Sequence, residues 1–258
     1  MSSIISSVDS GVGIIRFNRP DKFNSFNREM ALALQAALDA FATDNSVRAV
    51  LITSDGKAFC AGQDLAEAID SAGPGIQSIV REHYNPIIKK IRAIQKPVIC
   101  AVNGVAAGAG ANIALACDIV IAGVSASFIQ AFSKIGLVPD SGGTFFLPRL
   151  IGFQRATALM MLGDKVSAIE ALQMGMIYKV YDDDKLAYEA LEMSRKLASM
   201  PTKGIAMTKE LLNKSVVNSL DEQLDCEEEY QAEAGKTVDY KEGVNAFLEK
   251  RKPIFKGI

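Results

Sequence analysis

One stretch limits what this chain can fold into more than any other: NGVAAGAGANIALACD, Asn103 to Asp118. It is glycine and alanine almost throughout, and it joins a β-like run, Pro97-Val-Ile-Cys-Ala-Val102, to what reads as a short buried helix. Side chains this small let another group come close to the backbone. That group can be a dinucleotide pyrophosphate, a neighbouring helix, or a substrate atom held by bare N–H groups.

The surrounding pattern sets the fold class. Ile4–Val8 and Val12–Phe17 flank a turn and predict a β-hairpin. Arg28–Thr43 has apolar residues at helical spacing, and Val47–Thr53 reads as a strand. Ile76–Ile94 predicts a helix kinked or broken near Pro86, where a backbone donor is missing. Strand Val98–Val102, helix Ala109–Cys117 and strand Ile119–Ala122 follow. This alternation predicts an α/β fold with a buried, largely parallel sheet. After about Gly152 the chain turns helical, interrupted at Ile177–Tyr181, Pro201 and Pro253.

With 258 residues, 49% hydrophobic and 22% charged, the chain reads as one large domain, or a domain with a helical appendage. A net charge of −2 offers no electrostatic footprint for nucleic acid or an anionic membrane. No apolar run has transmembrane length, and the first residues lack signal-peptide character, so a cytoplasmic protein is expected. Cys60, Cys100, Cys117 and Cys226 are widely spaced and expected to be reduced thiols. His83 is the only histidine, which excludes a multi-histidine metal site; no metal is expected. It reads as a solvated or pocket-edge helix residue.

Three segments carry candidate chemistry, each with a plain alternative. The dinucleotide fingerprint fails at Gly108-Ala-Gly110-Ala-Asn-Ile113, because the third glycine is absent and no acidic residue ends the next strand. Helix–strand packing or a set of outward N–H donors remains. Gly56 to Leu65, GKAFCAGQDL, again follows a strand, and Asp64 can be a simple N-cap. Two such turns could each bring one N–H to a single carbonyl oxygen. In Lys134 to Gly152, KIGLVPDSGGTFFLPRLIG, Asp140 or Ser141 can cap a helix. Alternatively, Asp140 is a carboxylate among Phe132, Ile135, Leu137, Val138, Phe145 and Phe146, where desolvation raises its pKa towards that of a general base.

Taken in order, FNRPDKFNSFN, AFCAGQDL, KPVICAVNGVAAGAGANIALACDIVIA, GLVPDSGGTFFLPRLIG and EGVNAFLEKRKPIF resemble the crotonase (enoyl-CoA hydratase/isomerase) superfamily along the whole chain. HYNPIIKKI, VAAGAGA and FSKIGLVPDSGGT are closer to its ring-epoxide isomerase branch, which acts on 2-(1,2-epoxy-1,2-dihydrophenyl)acetyl-CoA. The resemblance implies a crotonase-like spiral of repeated β-β-α units over 1–195. A C-terminal helical region over 196–258 would drive trimerisation, as a homotrimer or a hexamer built as a dimer of trimers. It implies oxyanion donors at the N–H groups of Ala61 and Ala109, and no tightly bound cofactor, coenzyme A being part of the substrate. Contacts to CoA carry over to Lys22, Phe23, Asn24, Ala61, Gly62, Gln63, Asp64 and Leu65. Phe247 and Lys250 match positions that reach CoA from a neighbouring subunit. Tyr84, Asn85, Asn112 and Phe132 would line the acyl pocket.

The departures matter. The two glutamates with which hydratases of this superfamily handle water fall on Asn112 and Phe132, neither an acid nor a base. Asp140 falls at the catalytic aspartate of the ring-epoxide isomerases. The dehalogenase branch relies on a tryptophan and a histidine, whereas this chain has no tryptophan. The expectation is an acyl-CoA isomerase with an oxyanion hole and one aspartate acid/base. Its substrates would be ring-1,2-epoxyphenylacetyl-CoA, taken to the oxepin, or a 3-enoyl-CoA whose double bond moves to the 2 position. The alternatives are an enoyl-CoA hydratase and a non-catalytic CoA-ester-binding subunit.

Overall fold

The computed structural model describes residues 2–258. The hairpin forms as expected: β1 (Ile4–Asp9) pairs antiparallel with β2 (Val12–Phe17). Helix α1 (Arg28–Thr43) starts where Asn27 accepts a hydrogen bond from the Met30 N–H, and it buries Met30, Leu34, Leu38 and Phe41 on one face. The chain then alternates between two sheets. β3 (Ala49–Ser54), β5 (Val98–Val102) and β7 (Ile119–Gly123) join the first, while β4 (Ala58–Cys60), β6 (Val105–Ala107) and β8 (Ser127–Ile129) join the second. The first sheet runs β1-β2-β3-β5-β7-β10, with β10 (Lys179–Tyr181) at its far edge, and every pairing after the hairpin is parallel. The second runs β4-β6-β8-β9, closed by β9 (Lys165–Ser167). Each turn of the chain thus contributes one strand to each sheet, and the β-β-α rhythm is a spiral.

Between the strands run α2 (Leu65–Ile69), α3 (Gly75–Ser78), a π-helical turn (Ile79–Tyr84) and α4 (Asn85–Ala93). The break expected near Pro86 is that π turn, and Pro86 sits in the first turn of α4, where its missing N–H costs nothing. Helix α5 (Ala109–Leu115) is buried at every residue. Helices α6 (Gly143–Ile151), α7 (Phe153–Leu162) and α8 (Ala168–Gln173) complete the spiral.

Strand β5 is buried on both faces, as a central parallel strand must be. Val98, Cys100 and Val102 face the main core, whereas Ile99 and Ala101 face Leu186, Ala190 and Ala198 of α9 (Asp183–Ala198). That helix runs unbroken through residues 195 and 196, and the outer helical layer starts after Pro201. The layer holds α10 (Thr202–Lys214), α11 (Leu220–Ala234) and α12 (Val238–Leu248). Arg48 ties it to the spiral through Thr202 Oγ1 and the carbonyls of Met200 and Phe255. No helix among the described residues is long and apolar enough to cross a membrane.

Candidate active site

The Asn103–Asp118 stretch has two separate duties. Gly104 and Gly110 serve packing: an added Cβ would lie 2.2 Å from the Lys57 carbonyl oxygen and 2.6 Å from both the carbonyl and the sulfur of Cys60. Gly108 serves the turn. Its φ of +53° is a conformation that side chains other than glycine's rarely adopt, and it leads directly into α5. No side chain caps that helix, and no acceptor among the described residues meets the N–H of Ala109, its first residue.

The other expected donor, Ala61, is already engaged within the chain. The Ala61 N–H is spent on the Phe23 carbonyl at 3.0 Å, so Ala61 is not a free donor. Gly62 N–H faces the Cys60 sulfur at 3.4 Å. The next peptide unit decides the matter. Its carbonyl, on Gly62, accepts from Phe26 N–H at 2.7 Å, and a trans peptide points its N–H the opposite way. That N–H belongs to Gln63, and no acceptor among the described residues meets it. It leaves on the side away from Phe26, and the Gly62 turn itself lies against the start of α5. There an added Cβ on Gly62 would lie 3.0 Å from the Ala107 carbonyl oxygen and 3.7 Å from the Ala109 nitrogen. Gln63 N–H and Ala109 N–H are thus two unpaired candidate donors on adjoining turns.

Asp140 sits in the loop before α6. Burial pushes its carboxyl above the usual carboxylate range, and the Ser141 hydroxyl, donating to Oδ1 at 2.8 Å, offsets that only in part. The shift has the expected direction, and the apolar residues beside it in sequence divide by exposure. Phe132 is buried and Phe146 half-buried, but Ile135, Leu137, Val138 and Phe145 are exposed. Tyr84 stands close enough to feel this carboxylate: burial pushes its phenol well above its ordinary value, and the Asp140 charge adds to the shift. Asn112 holds the loop itself. Its Nδ2 donates to the Asp140 carbonyl oxygen at 2.9 Å, and its Oδ1 accepts from Gln130 Nε2 at 2.8 Å. Asn112 is thus a committed structural amide rather than an open wall of a pocket. The Phe132 ring lies against the Gly108 turn, 3.7 Å from where a Cβ would stand.

Other expected contacts divide cleanly. Lys22, Phe23 and Leu65 are exposed beside the Ala61–Gly62 turn and remain available. Asn24 is not: it is wholly buried, Oδ1 accepting from Arg19 N–H and Nδ2 donating to the Asp55 and Ala58 carbonyls. Asp64 caps α2 through Ala66 N–H and pairs with Arg19 at 3.1 Å, so its plain reading holds. Gln63 turns its side-chain oxygen to the Tyr84 hydroxyl, while Asn85 is exposed at the start of α4. Phe247, 83% exposed, and Lys250 project from the end of α12. His83 is not solvated: it is wholly buried between Arg28 and the π turn.

The model of the enoyl-CoA hydratase/isomerase family matches residues 7–258. The chain is 48% identical over 260 residues to 1,2-epoxyphenylacetyl-CoA isomerase of Escherichia coli strain K12, covering 100% of this chain and 99% of that one. It is 39% identical over 259 residues to trans-2-decenoyl-acyl-carrier-protein isomerase of Streptococcus mutans serotype c, with 98% of each covered. Among solved structures, an enoyl-CoA hydratase from Bacillus anthracis superposes with a TM-score of 0.92 at 33% identity, over 99% of this chain and 100% of that one. These relatives include isomerases and a hydratase alike. Matched over nearly its whole length and sharing the crotonase fold, the chain belongs to the enoyl-CoA hydratase/isomerase family of enzymes.

Proposed function

We propose that the protein is a CoA-thioester isomerase. The observation that carries this reading is the pairing of one desolvated carboxylate, Asp140, with an amide, Asn112, whose two ends are already consumed. One carboxylate that takes a proton and returns it elsewhere suits isomerisation. Positioning and activating water for addition would call on further acid/base groups, and Asn112 and Phe132 supply none.

In this reading the thioester carbonyl oxygen sits between the Gln63 and Ala109 N–H groups. Charge that develops there is stabilised by about 3 kcal/mol per donor. With a 3-enoyl-CoA, the Asp140 carboxylate removes a proton from C2, and the electron pair moves into a dienolate held by the two donors. The protonated Asp140 then returns the proton to C4, leaving the double bond between C2 and C3. With ring-1,2-epoxyphenylacetyl-CoA, the same stabilised enolate character assists epoxide opening and expansion to the oxepin. The name of the 48% identical relative supports that aromatic substrate. Lys22, Phe23 and Leu65 would meet the CoA portion. Phe247 and Lys250 would reach it from a neighbouring copy in a homotrimer or a dimer of trimers. Helix α11 buries no residue within the chain, and its exposed Leu220 and Leu224 suit such an assembly.

The test is turnover of a small panel: a 3-enoyl-CoA, ring-1,2-epoxyphenylacetyl-CoA and crotonyl-CoA, with products identified by mass and absorbance. Isomer formation at unchanged mass supports the reading. Efficient gain of one water on crotonyl-CoA, without isomerisation, overturns it in favour of a hydratase. Binding of all three without turnover leaves only a CoA-ester-binding subunit.

A further inference from the structure

Tyr84 is among the largest fully buried side chains in the protein, and its hydroxyl donates to Gln63 Oε1 at 2.7 Å. We infer that Tyr84 is a positioning residue: through Gln63 it fixes the aim of the Gln63 N–H, one of the two donors to the thioester oxygen. The inference rests on the oxyanion reading above and extends it to a group that touches no reacting atom.

A donor in an oxyanion hole helps only if it is held in place before the charge appears. The peptide between Gly62 and Gln63 is anchored at its carbonyl by Phe26 N–H. The next peptide is anchored too, Asp64 N–H donating to the Phe26 carbonyl at 2.8 Å, so the backbone is held on both sides of Gln63. Gly62, at φ +92° and without a Cβ, adds only the contact of its N–H with the Cys60 sulfur at 3.4 Å. The Gln63 side of the peptide carries a further restraint beyond these backbone bonds. The Gln63 side chain provides it, bonded at Oε1 to Tyr84 and at Nε2 to the Asp64 carbonyl at 3.3 Å.

Tyr84 is built to hold that position. Its ring packs on Phe26, with centroids 6.0 Å apart, so one side chain braces both ends of the peptide. Phe26 in turn stands edge-on to Phe17 at 5.3 Å. Tyr84 closes the π-helical turn Ile79–Tyr84, whose irregular backbone is secured by Gln35 Nε2 donating to the Glu82 and His83 carbonyls. Such turns recur where a helix must aim one side chain at a functional group. Burial keeps the phenol protonated, and therefore a donor.

The experiment compares wild type, Tyr84→Phe, Gln63→Met and the double variant. Tyr84→Phe keeps the ring and its packing but removes the hydroxyl; Gln63→Met keeps the backbone N–H but removes the acceptor. The first readout is difference infrared spectroscopy of a bound 2-enoyl-CoA labelled with ¹³C at the thioester carbonyl, which reports polarisation of that bond. The second is kcat and KM with a 3-enoyl-CoA. Each single variant should lose part of the wild-type red shift and about tenfold in kcat, with KM changed less than about twofold, as for a donor that matters mainly in the transition state. The double variant should be no worse than either single, because both break one tether. A wild-type red shift retained in full by a folded Tyr84→Phe protein overturns the inference and leaves the oxyanion reading intact. Multiplying losses in the double variant do the same. A wild-type enzyme that binds the thioester without any red shift overturns the oxyanion reading itself.

Discussion

Asn112 Nδ2 stands 2.9 Å from the carbonyl oxygen of Asp140, and that single contact joins the two halves of the proposed chemistry. Helix α5 presents the Ala109 N–H at its first residue and clamps the Asp140 loop one turn later through Asn112. The distance between donor and base is therefore set by one short rigid helix. Replacing Asn112 by Leu keeps the volume but strands the Asp140 carbonyl and Gln130 Nε2. Stability should fall by about 1–3 kcal/mol, the range for leaving a buried polar group unpaired. The kcat should fall with it while CoA-ester affinity holds. Urea denaturation and steady-state kinetics measure the two effects, and an unaltered kcat would show that the Asp140 loop holds itself.

Asp140→Asn removes the base and keeps the shape. Isomerisation should drop by at least about a hundredfold, within the range for losing a general base, with binding nearly intact. The wild-type activity should also fall on the acid side as Asp140 takes up its proton, at a pH above the ordinary carboxylate value of 3.8. The stability effect has the opposite sign to the activity effect. A carboxyl whose folded pKa is raised contributes its full stability only below the unfolded pKa, and loses it as pH rises through the folded value. At neutral pH the Asn variant should therefore be the more stable protein, and the gain should vanish below about 3.8, the unfolded reference. Paired denaturation curves at two pH values decide this.

Ala109→Pro deletes one of the two unpaired N–H groups at a position where proline's fixed φ suits the first helical residue. Turnover should fall roughly 10²–10³-fold while ground-state affinity changes less. Circular dichroism and oligomer size must first show that the fold survives. Unchanged kinetics in a folded variant would mean that the glycines of Asn103–Asp118 serve packing alone.

Crotonyl-CoA should be hydrated slowly or not at all, since neither Asn112 nor Phe132 can activate water. Loss of enoyl absorbance together with a mass gain of one water is the readout. Rapid hydration would reassign the enzyme.

His83 should leave a mark on stability. Arginine can only donate, so Nε2, 3.2 Å from an Arg28 guanidinium nitrogen, accepts, and the proton lies on Nδ1, which is buried without a partner among the described residues. Burial depresses its pKa from 6.5, Glu67 opposing and Arg28 adding to the shift. Stability should decline as pH falls below about 6.5, because the unfolded chain then binds a proton that the folded one refuses. His83→Gln should show a shallower decline in denaturation curves across that window.

Helix α1 and strand β5 were legible in the sequence to the residue, because each has a strong period and an unbroken run. The second sheet was not, since three-residue strands such as β4, β6 and β8 are too short to show one. Asp140 and Ala109 stood out through the turns around them. Gln63 did not, because whether Ala61 or Gln63 keeps a free N–H depends on the plane of a peptide that Phe26 anchors from a distant part of the chain. His83 was misplaced for a similar reason: its burial is decided by Arg28 and Gln35 of a helix that crosses it.

Both proposed oxyanion donors are main-chain groups, and that has an evolutionary consequence. A point mutation changes a side chain and, proline apart, cannot delete an N–H. The electrophilic half of the site is thus inherited with the packing of Gly110 on Cys60 and of Phe26 on Gly62. The acid/base half is a matter of which side chains stand at Asn112, Phe132 and Asp140. A lineage with this backbone can exchange one reaction for another by moving carboxylates among three positions, without rebuilding the part of the site that is hardest to invent.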